Sequence, residues 1–173
     1  MTVRMLSAIA VASLLAVAAY ADNVNTDADP AAPFAQYNTY AWTAGTPSPD
    51  AVTERRIHAA VEAQFSGKVI RLAAPDETPD IYVATHVLTK QQKDFVANGF
   101  GPAALGGSAA IDAKNYATGT LVVDVYDAKT HKMVWRGTAA GTGSDKPSKN
   151  SDRIDKALAE MFHRYPSSIT SAN

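Results

Sequence analysis

The sequence contains no cysteine among its 173 residues. This absence excludes disulfide bonds, a thiol nucleophile, a cysteine-ligated metal site and a lipid-bearing cysteine. The chain also lacks a charge excess, because 16 Lys and Arg residues stand against 17 Asp and Glu residues, for a formal net charge of −1. Its basic residues are scattered, with no run longer than Arg55-Arg56. Nothing in this charge pattern directs the protein to nucleic acid or to an anionic membrane.

Motifs for common catalytic chemistry are lacking as well. None of the four histidines stands in H-x-x-x-H spacing, so a zinc site would have to combine distant segments. The nearest string to a serine nucleophile elbow, Leu105-Gly-Gly-Ser108, lacks the second glycine. Residues 137–146 contain glycines and a lysine, but without the spacing of a phosphate-binding loop. We therefore interpret both glycine-rich stretches as loops, and we expect no catalytic residue, no cofactor and no metal ion.

The first 21 residues have the pattern of a secretory signal peptide. Arg4 precedes an apolar run over residues 5–18, and Ala19-Tyr-Ala21 supplies a small-residue cleavage site. We expect cleavage after Ala21 and a periplasmic or secreted mature protein without stable membrane insertion. The alternative is an uncleaved anchor, although the apolar run is shorter than the roughly 20 residues that a spanning helix needs.

The rest of the chain divides into a leader, one domain and a tail. Residues 22–36 are polar and contain proline, which predicts a flexible leader. Residues 37–166 carry the periodic patterns of a single α+β domain, and residues 167–173 form a tail.

Hydrophobic periodicity predicts the order β-α-β-β-β-α for the domain. Alternating side chains predict four strands, over residues 37–43, 80–88, 118–127 and 133–138. Apolar residues at helical spacing predict two helices, over residues 50–67 and 151–165. Residues 69–72 fit either a brief strand or a loop. This order predicts a four-stranded, mainly antiparallel sheet with both helices packed on one face.

The stretch Asp127–Gly137 collects an acid, an imidazole, three cations and a tryptophan. We interpret it as a β-hairpin rather than an active site. Asp127 can accept backbone N–H groups and start the turn. A residue with positive φ is needed before the second strand, and histidine is enriched in that conformation among non-glycine residues. We therefore predict that His131 takes it, with Trp135 in the core and Arg136 on the opposite face.

One face of the predicted sheet gathers polar and aromatic side chains. If Val83, Val123 and Trp135 face the helices, the other face carries a different set. This set is Tyr82, His86, Asp124, Tyr126 and Arg136. Such a face can bind a partner. The alternative is an ordinary solvated sheet face with cross-strand pairs such as Asp124 with Arg136.

Several segments together resemble a known family. They are YNTYAW (37–42), PDIYV (79–83), GTLVVDVYD (119–127), VWRGTA (134–139) and MFHRYP (161–166). Their order and spacing resemble the bacterial envelope proteins grouped as domain of unknown function 4136. The resemblance implies a Gram-negative source and a periplasm-facing location, and it supplies no catalytic residues because the family has no assigned activity. Many members look like lipoproteins, whereas this chain has no cysteine to acylate, which favours a free periplasmic or secreted protein.

Together these patterns predict an exported cell-envelope protein that is not an enzyme. We expect a binding or assembly module that holds a protein or glycan partner on the open sheet face or at a sheet edge. One alternative is a hydrolase of envelope material that uses His86 and Asp124. Another is a stress-protective protein that acts by being abundant and stable.

Overall fold

The computed structural model describes residues 24–88, 119–141 and 147–166. The strands within these ranges are β1 (Val24–Ala28), β2 (Thr39–Trp42), β3 (Arg71–Leu72), β4 (Ile81–Leu88), β5 (Thr120–Asp127) and β6 (Met133–Ala139). The helices are α1 (Ala51–Ser66) and α2 (Pro147–His163), with a 3-10 turn at Phe34–Gln36.

The described strands form one six-stranded sheet in the order β1-β6-β5-β4-β2-β3. Strands β4, β5, β6 and β1 pair antiparallel in turn, whereas β2 runs parallel to both β3 and β4. The β2–β3 pair is parallel because α1 carries the chain from the end of β2 back to the level at which β2 began. Residues 73–80 return the chain a second time, so β4 also runs parallel to β2. The α+β class with two helices is confirmed, and the prediction of four mainly antiparallel strands is wrong because the sheet is mixed and gains β1 and β3.

Strand β1 corrects the prediction of a flexible leader. Val24–Ala28 lies within that segment, yet it pairs with β6 over five consecutive residues. Val24 is buried, and the Arg164 guanidinium donates to its carbonyl at 2.9 Å. An edge strand needs a backbone partner on one side only, so polar side chains at alternate positions do not prevent it. The polar composition of a segment indicates that it cannot form a hydrophobic core, but it does not indicate whether the segment can pair with the edge strand of a sheet.

Both helices pack against the same face of the sheet. Helix α1 contributes Ile57, Val61 and Phe65, at the predicted spacing. The buried residues of α2 are Ile154, Ala157, Leu158, Met161 and Phe162. The strands meet them with Ile81, Val83, Leu121, Val123, Val125 and Trp135. This core occupies one side of the sheet, so a binding site has to lie on the opposite face, at a sheet edge or at a turn.

The helix ends follow local chemistry. The Asp50 side chain accepts the N–H groups of Val52 and Thr53, so Asp50 is the N-cap of α1. Helix α2 begins at Pro147, four residues before the predicted start of this helix at residue 151. Proline has no N–H to leave unpaired in a first turn, so the helix can begin there.

Helix α1 ends in a left-handed residue that is not glycine. The Val69 N–H donates to the Ser66 carbonyl and the Ile70 N–H to the Phe65 carbonyl, both at 3.0 Å. These two bonds define a Schellman motif, in which the residue after the cap is left-handed and usually glycine. Val69 occupies that position with φ 62, and the residue is 80% exposed. Burial of the valine therefore does little to offset the backbone strain.

We expect Val69→Gly to raise the free energy of unfolding by about 1 kcal/mol, because a left-handed conformation costs an L-residue roughly 1–2 kcal/mol. Chemical denaturation measures the change. Val52→Gly is the matched control, since Val52 is also exposed (65%) but lies in the helical first turn of α1. That control should lose stability, because glycine in a helix is about 0.5–1 kcal/mol less favourable than alanine. A loss of stability in Val69→Gly would contradict the assignment of strain.

Candidate functional site

The structure brings the five predicted residues together on the side of the sheet away from the helices. Tyr82 lies opposite Tyr126 across β4 and β5, and Asp124 lies opposite Arg136 across β5 and β6. His86 follows Tyr82 on the same side of β4, within reach of Asp124. We call this set the outer-face cluster. Its assembly from three strands follows directly from the alternation of side chains along each strand.

Asp124 is the centre of the outer-face cluster. The Arg136 Nε donates to Asp124 Oδ1 at 2.6 Å, and Arg136 Nη2 donates to Oδ2 at 2.6 Å. The Tyr126 hydroxyl donates to Oδ2 at 3.2 Å, and His86 Nε2 lies 3.5 Å from Oδ2. The outer-face cluster is therefore built around a carboxylate that a guanidinium binds with two hydrogen bonds.

The charge of this carboxylate is retained despite its burial. Asp124 is 0% exposed, and the Arg136 side chain is 22% exposed. Burial would raise the pKa of Asp124, but the two hydrogen bonds from Arg136, with a smaller effect of the nearby His86, outweigh it, so the pKa lies below the usual value of an aspartate. The cluster thus contains a buried ion pair rather than a neutral acid.

Thr46 extends the cluster in a way that sequence reasoning missed. Its hydroxyl lies 3.1 Å from His86 Nδ1, so Thr46, His86 and Asp124 form a hydroxyl–imidazole–carboxylate series. Thr46 reaches β4 because its N–H donates to the Thr85 carbonyl at 3.0 Å and its carbonyl accepts the Val87 N–H at 2.9 Å. The proline-containing segment around Thr46 gives no strand signal in the sequence, so this contact was not predictable from periodicity.

The series contains the groups of a hydrolase triad without the access that hydrolysis needs. Thr46 is 7% exposed, and His86 and Asp124 are 0% exposed. A nucleophile must reach the substrate, and its base must lie within hydrogen-bond distance of the proton that it removes. In a triad, the carboxylate stabilises the positive charge that forms on the histidine. Here the Asp124 carboxylate is already paired with the Arg136 guanidinium. The contact of the Thr46 hydroxyl with His86 Nδ1 helps to hold the segment around Thr46 against β4. His86 Nε2, 3.5 Å from Asp124 Oδ2, is buried and makes no hydrogen bond among the described residues.

The predicted open face is closed at its centre and accessible at one end. His86 and Asp124 have no exposed surface, which corrects the expectation that both contact a partner. Tyr82 is partly exposed, and the ring of the exposed His131 lies parallel to it with centroids 6.3 Å apart. Met133, which pairs with Tyr126, is 39% exposed. Alternation assigned these residues to a face, but it carries no information about what covers that face.

The hairpin between β5 and β6 confirms the prediction for His131, which has φ 54. Asp127 Oδ1 accepts the N–H groups of Lys129 and Thr130 at 3.0 and 2.7 Å. The Tyr37 hydroxyl donates to Asp127 Oδ2 at 2.9 Å, which ties the turn to the start of β2. The Asp127–Gly137 stretch is thus a turn, with Trp135 in the core and Arg136 on the outer face as expected.

We expect His131→Gly to be neutral or stabilising by up to about 1 kcal/mol, because glycine adopts positive φ without the steric cost of a side chain. Thermal or chemical denaturation measures the change. His131→Ala is the control: it removes the same ring but keeps the strain, so it should not gain stability. A clear loss in the glycine variant would show that the contact of the ring with Tyr82 supports the fold.

Among the described residues, no group of three or more His, Asp or Glu side chains is arranged to hold a metal ion. His58 stacks on Trp42 with ring centroids 4.0 Å apart, and its Nε2 lies 3.1 Å from Glu54, in keeping with a residue on the helix surface. The segment predicted to be a signal peptide, the Leu105-Gly-Gly-Ser108 string and the predicted tail over residues 167–173 lie outside the described residues, as do residues 142–146 of the second glycine-rich stretch. In the described part of the chain, no helix has the length and apolar character needed to cross a bilayer.

Comparisons with known proteins identify relatives by sequence profile and by fold. The profile of the family described as "Domain of unknown function (DUF4136)" matches residues 24–167. None of the curated proteins compared with the chain matches it. The crystal structure of a DUF4136 family protein from Bacteroides thetaiotaomicron is 16% identical over 81% of this chain and 93% of that chain, with a TM-score of 0.59.

Two further solved structures are similar at lower scores. A PelC dodecamer from Paraburkholderia phytofirmans is 12% identical over 82% of this chain and 97% of that chain, with a TM-score of 0.45. A PDZ domain protein from Parabacteroides distasonis is 13% identical over 84% of this chain and 36% of that chain, with a TM-score of 0.48. At such identities the likeness to the Bacteroides structure concerns the fold alone.

Proposed function

The chain belongs to the DUF4136 family, and from that premise we propose that it is an exported cell-envelope protein that binds a partner and catalyses no reaction. The family is one of unknown function, so the argument for binding rests on the site. The argument for export rests on the signal-peptide pattern of the first 21 residues.

The burial of the Thr46–His86–Asp124 series is the observation that carries the proposal. Among the described residues this series comes nearest to a catalytic constellation, and its three members are between 0% and 7% exposed. Since Arg136 holds Asp124 through two hydrogen bonds, the series behaves as a rigid support. No feature of the described residues favours the hydrolase alternative.

The accessible end of the outer face is the surface that we assign to the partner. We give the name Tyr82 patch to the partly exposed Tyr82 and the exposed His131 and Met133, together with the buried Tyr126 that lies opposite Tyr82. Tyrosine and methionine are enriched at protein interfaces, where an apolar body and a polar tip can both be used. The Tyr126 hydroxyl is fixed by Asp124, so this residue supports the patch and loses little side-chain entropy on binding.

Site-specific photocrosslinking in the native cell envelope tests the binding surface. A photoreactive amino acid at Met133 should form a discrete adduct, and Tyr82→Ala should abolish it. Val52 is the control position, because it is also exposed but lies on α1. The same adduct from position Val52, or an adduct from Met133 that survives both Tyr82→Ala and Tyr126→Ala, would contradict the assignment.

Export has its own expected outcome. Mass spectrometry of the protein from the periplasmic or secreted fraction should find Asp22 as the N-terminal residue, because the small residues Ala19 and Ala21 fit the cleavage site. Ala21→Arg should block cleavage and leave the precursor associated with the membrane. Recovery of the wild-type chain with Met1 still present would show that the segment acts as an anchor.

A further inference from the structure

A groove lies between the C-terminal half of α1 and the sheet edge at β3, on the other side of the sheet from the Tyr82 patch. Its volume is about 530 Å³. The residues that matter here are Tyr40, Glu62, Val69, Ile70 and Leu72, and we call this site the β3 groove. Tyr40 and Ile70 are buried and form its floor, whereas the other three are exposed.

Two exposed aliphatic residues flank the β3 groove. Val69 is 80% exposed and Leu72 is 51% exposed. Leu72 lies opposite Tyr40, so its side chain is on the helix side of the sheet, beyond the part that α1 covers. Val69 holds a strained backbone conformation that glycine would relieve. A strained residue that contributes little to the monomer is a reason to look for a role outside the monomer.

The backbone of β3 can receive another strand. In the described sheet β3 is the last strand, next to β2. The Arg71 N–H donates to the Asn38 carbonyl at 2.9 Å and the Ala73 N–H donates to the Tyr40 carbonyl at 2.8 Å. Since backbone groups alternate in direction along a strand, the N–H and C=O groups of Leu72 face away from β2. The Leu72 carbonyl already accepts a hydrogen bond from the Arg71 guanidinium at 3.3 Å. Since a carbonyl oxygen has two lone pairs, an extended segment can still pair with the N–H and C=O groups of Leu72 at this edge.

The charge of the β3 groove selects a basic occupant. The Arg71 guanidinium binds the Glu77 carboxylate at 2.7 and 2.6 Å, so these two charges compensate each other. The exposed Glu62 accepts the Trp42 indole N–H at 3.4 Å, which is a neutral partner. The carboxylate of Glu62 thus leaves the groove with an acidic side that complements a lysine or arginine.

We propose that the β3 groove binds an extended segment of a partner protein that carries aliphatic side chains and a lysine or arginine. The segment adds to β3 as a further strand, its aliphatic side chains contact Val69 and Leu72, and its cation approaches Glu62. This second surface goes beyond the proposed function, because it shares no residue with the Tyr82 patch.

The probe for this proposal is a short peptide that repeats Val-Thr-Lys-Thr, because residues two apart along an extended strand share a face and so place valine and lysine together on the side of Leu72 and Glu62. We call it the valine–lysine peptide, and the same peptide with glutamate in place of lysine the valine–glutamate peptide. Titrated into the isotope-labelled protein, the valine–lysine peptide should shift the amide resonances of Val69, Ile70 and Leu72. Val69→Gly and Leu72→Ala should each weaken binding by about fivefold or more, since each removes apolar contact area. Glu62→Gln should weaken binding at low salt and have less effect at high salt. Because Val69→Gly is expected to be the more stable protein, weaker binding by this variant cannot result from unfolding.

Three controls make the test specific. A valine–glutamate peptide should bind at least fivefold more weakly, and a valine–lysine peptide with alternate backbone nitrogens methylated should lose binding because it cannot pair with β3. Val52→Gly should bind like the wild type. No binding of the valine–lysine peptide, equal binding of the valine–glutamate peptide, or affinity unchanged by both Val69→Gly and Leu72→Ala would overturn the proposal. Self-association that buries Val69 would overturn it as well, because the occupant would then be a second copy of the chain.

Discussion

Replacing Arg136 with methionine should destabilise the protein by about 3–5 kcal/mol, because it leaves the buried Asp124 carboxylate without its counter-charge. Methionine keeps much of the volume of the arginine stem, so the loss reports the removed charge more than a cavity. Asp124 is 0% exposed and has two 2.6 Å hydrogen bonds to Arg136 in the wild type. Chemical denaturation at neutral pH measures the effect.

The effect of this substitution should depend on pH. In the wild type the folded-state pKa of Asp124 is depressed, so the stabilisation is complete above the unfolded pKa of about 3.9 and is lost as pH falls through the folded pKa. In Arg136→Met burial acts without the guanidinium, so the pKa of Asp124 should rise above its usual value. The carboxyl group then takes up a proton already in mild acid. The stability difference between the two proteins should therefore be largest at neutral pH and should shrink towards pH 4.

Two further variants separate the buried charge from packing. Arg136→Lys keeps the charge but loses the two parallel hydrogen bonds, so it should fall between the wild type and Arg136→Met. Arg136→Met combined with Asp124→Leu removes both charges and should recover much of the loss. A double variant as unstable as Arg136→Met at all pH values would show that the guanidinium acts through packing rather than through the carboxylate.

Replacing Gly45 with alanine should cost about 3 kcal/mol or more. A Cβ atom at this position would lie 2.0 Å from the Thr85 carbonyl oxygen, and a backbone atom cannot rotate away as a side chain can. To relieve the overlap, residues 43–46 have to move away from β4, which breaks the backbone hydrogen bonds that hold them there. Three such bonds join these segments, and each contributes about 1 kcal/mol. The movement also separates Thr46 from the buried His86.

Gly67 offers a matched control for this substitution. A Cβ atom there meets only ordinary contacts, the nearest at 3.5 Å, and the residue has a right-handed φ of −62. Gly67→Ala should therefore be neutral or stabilising by up to about 1 kcal/mol. Thermal denaturation compares the two variants, and amide hydrogen exchange should show faster exchange at Thr46 and Val87 in Gly45→Ala alone. Equal stability of the two variants would mean that the approach of Gly45 to β4 is not tight.

Local patterns predicted the parts of the fold that local physics controls. The i, i+4, i+8 spacing of Ile57, Val61 and Phe65 identified the buried side of α1. The turn at Asp127 and the left-handed His131 followed from the length of the hairpin connection and from which residues tolerate positive φ. Alternation likewise placed the outer-face cluster on one side of the sheet. In each case, the determining contacts lie within a few residues or between adjacent strands.

Two features that the sequence did not predict, strand β1 and the position of Thr46, depend on contacts between segments that are distant in the chain. The pairing of the polar β1 with β6 depends on an edge that the β5–β6 hairpin leaves uncovered. Thr46 can approach His86 only because Gly45, which has no Cβ atom, fits against β4. The residues around Gly45 show no sequence pattern that would predict this close contact.

The sequence by itself determined the α+β class, the helix faces and the hairpin, because these depend on local periodicity and turn chemistry. The family followed from the resemblance of several segments in their order and spacing, which the profile match over residues 24–167 confirms. Only the tertiary structure decided the accessibility of the outer face. Asp124 and Tyr82 share that face, yet one is fully buried and the other is partly exposed. The period of a strand fixes the direction of a side chain, whereas its exposure depends on which other segments pack above it.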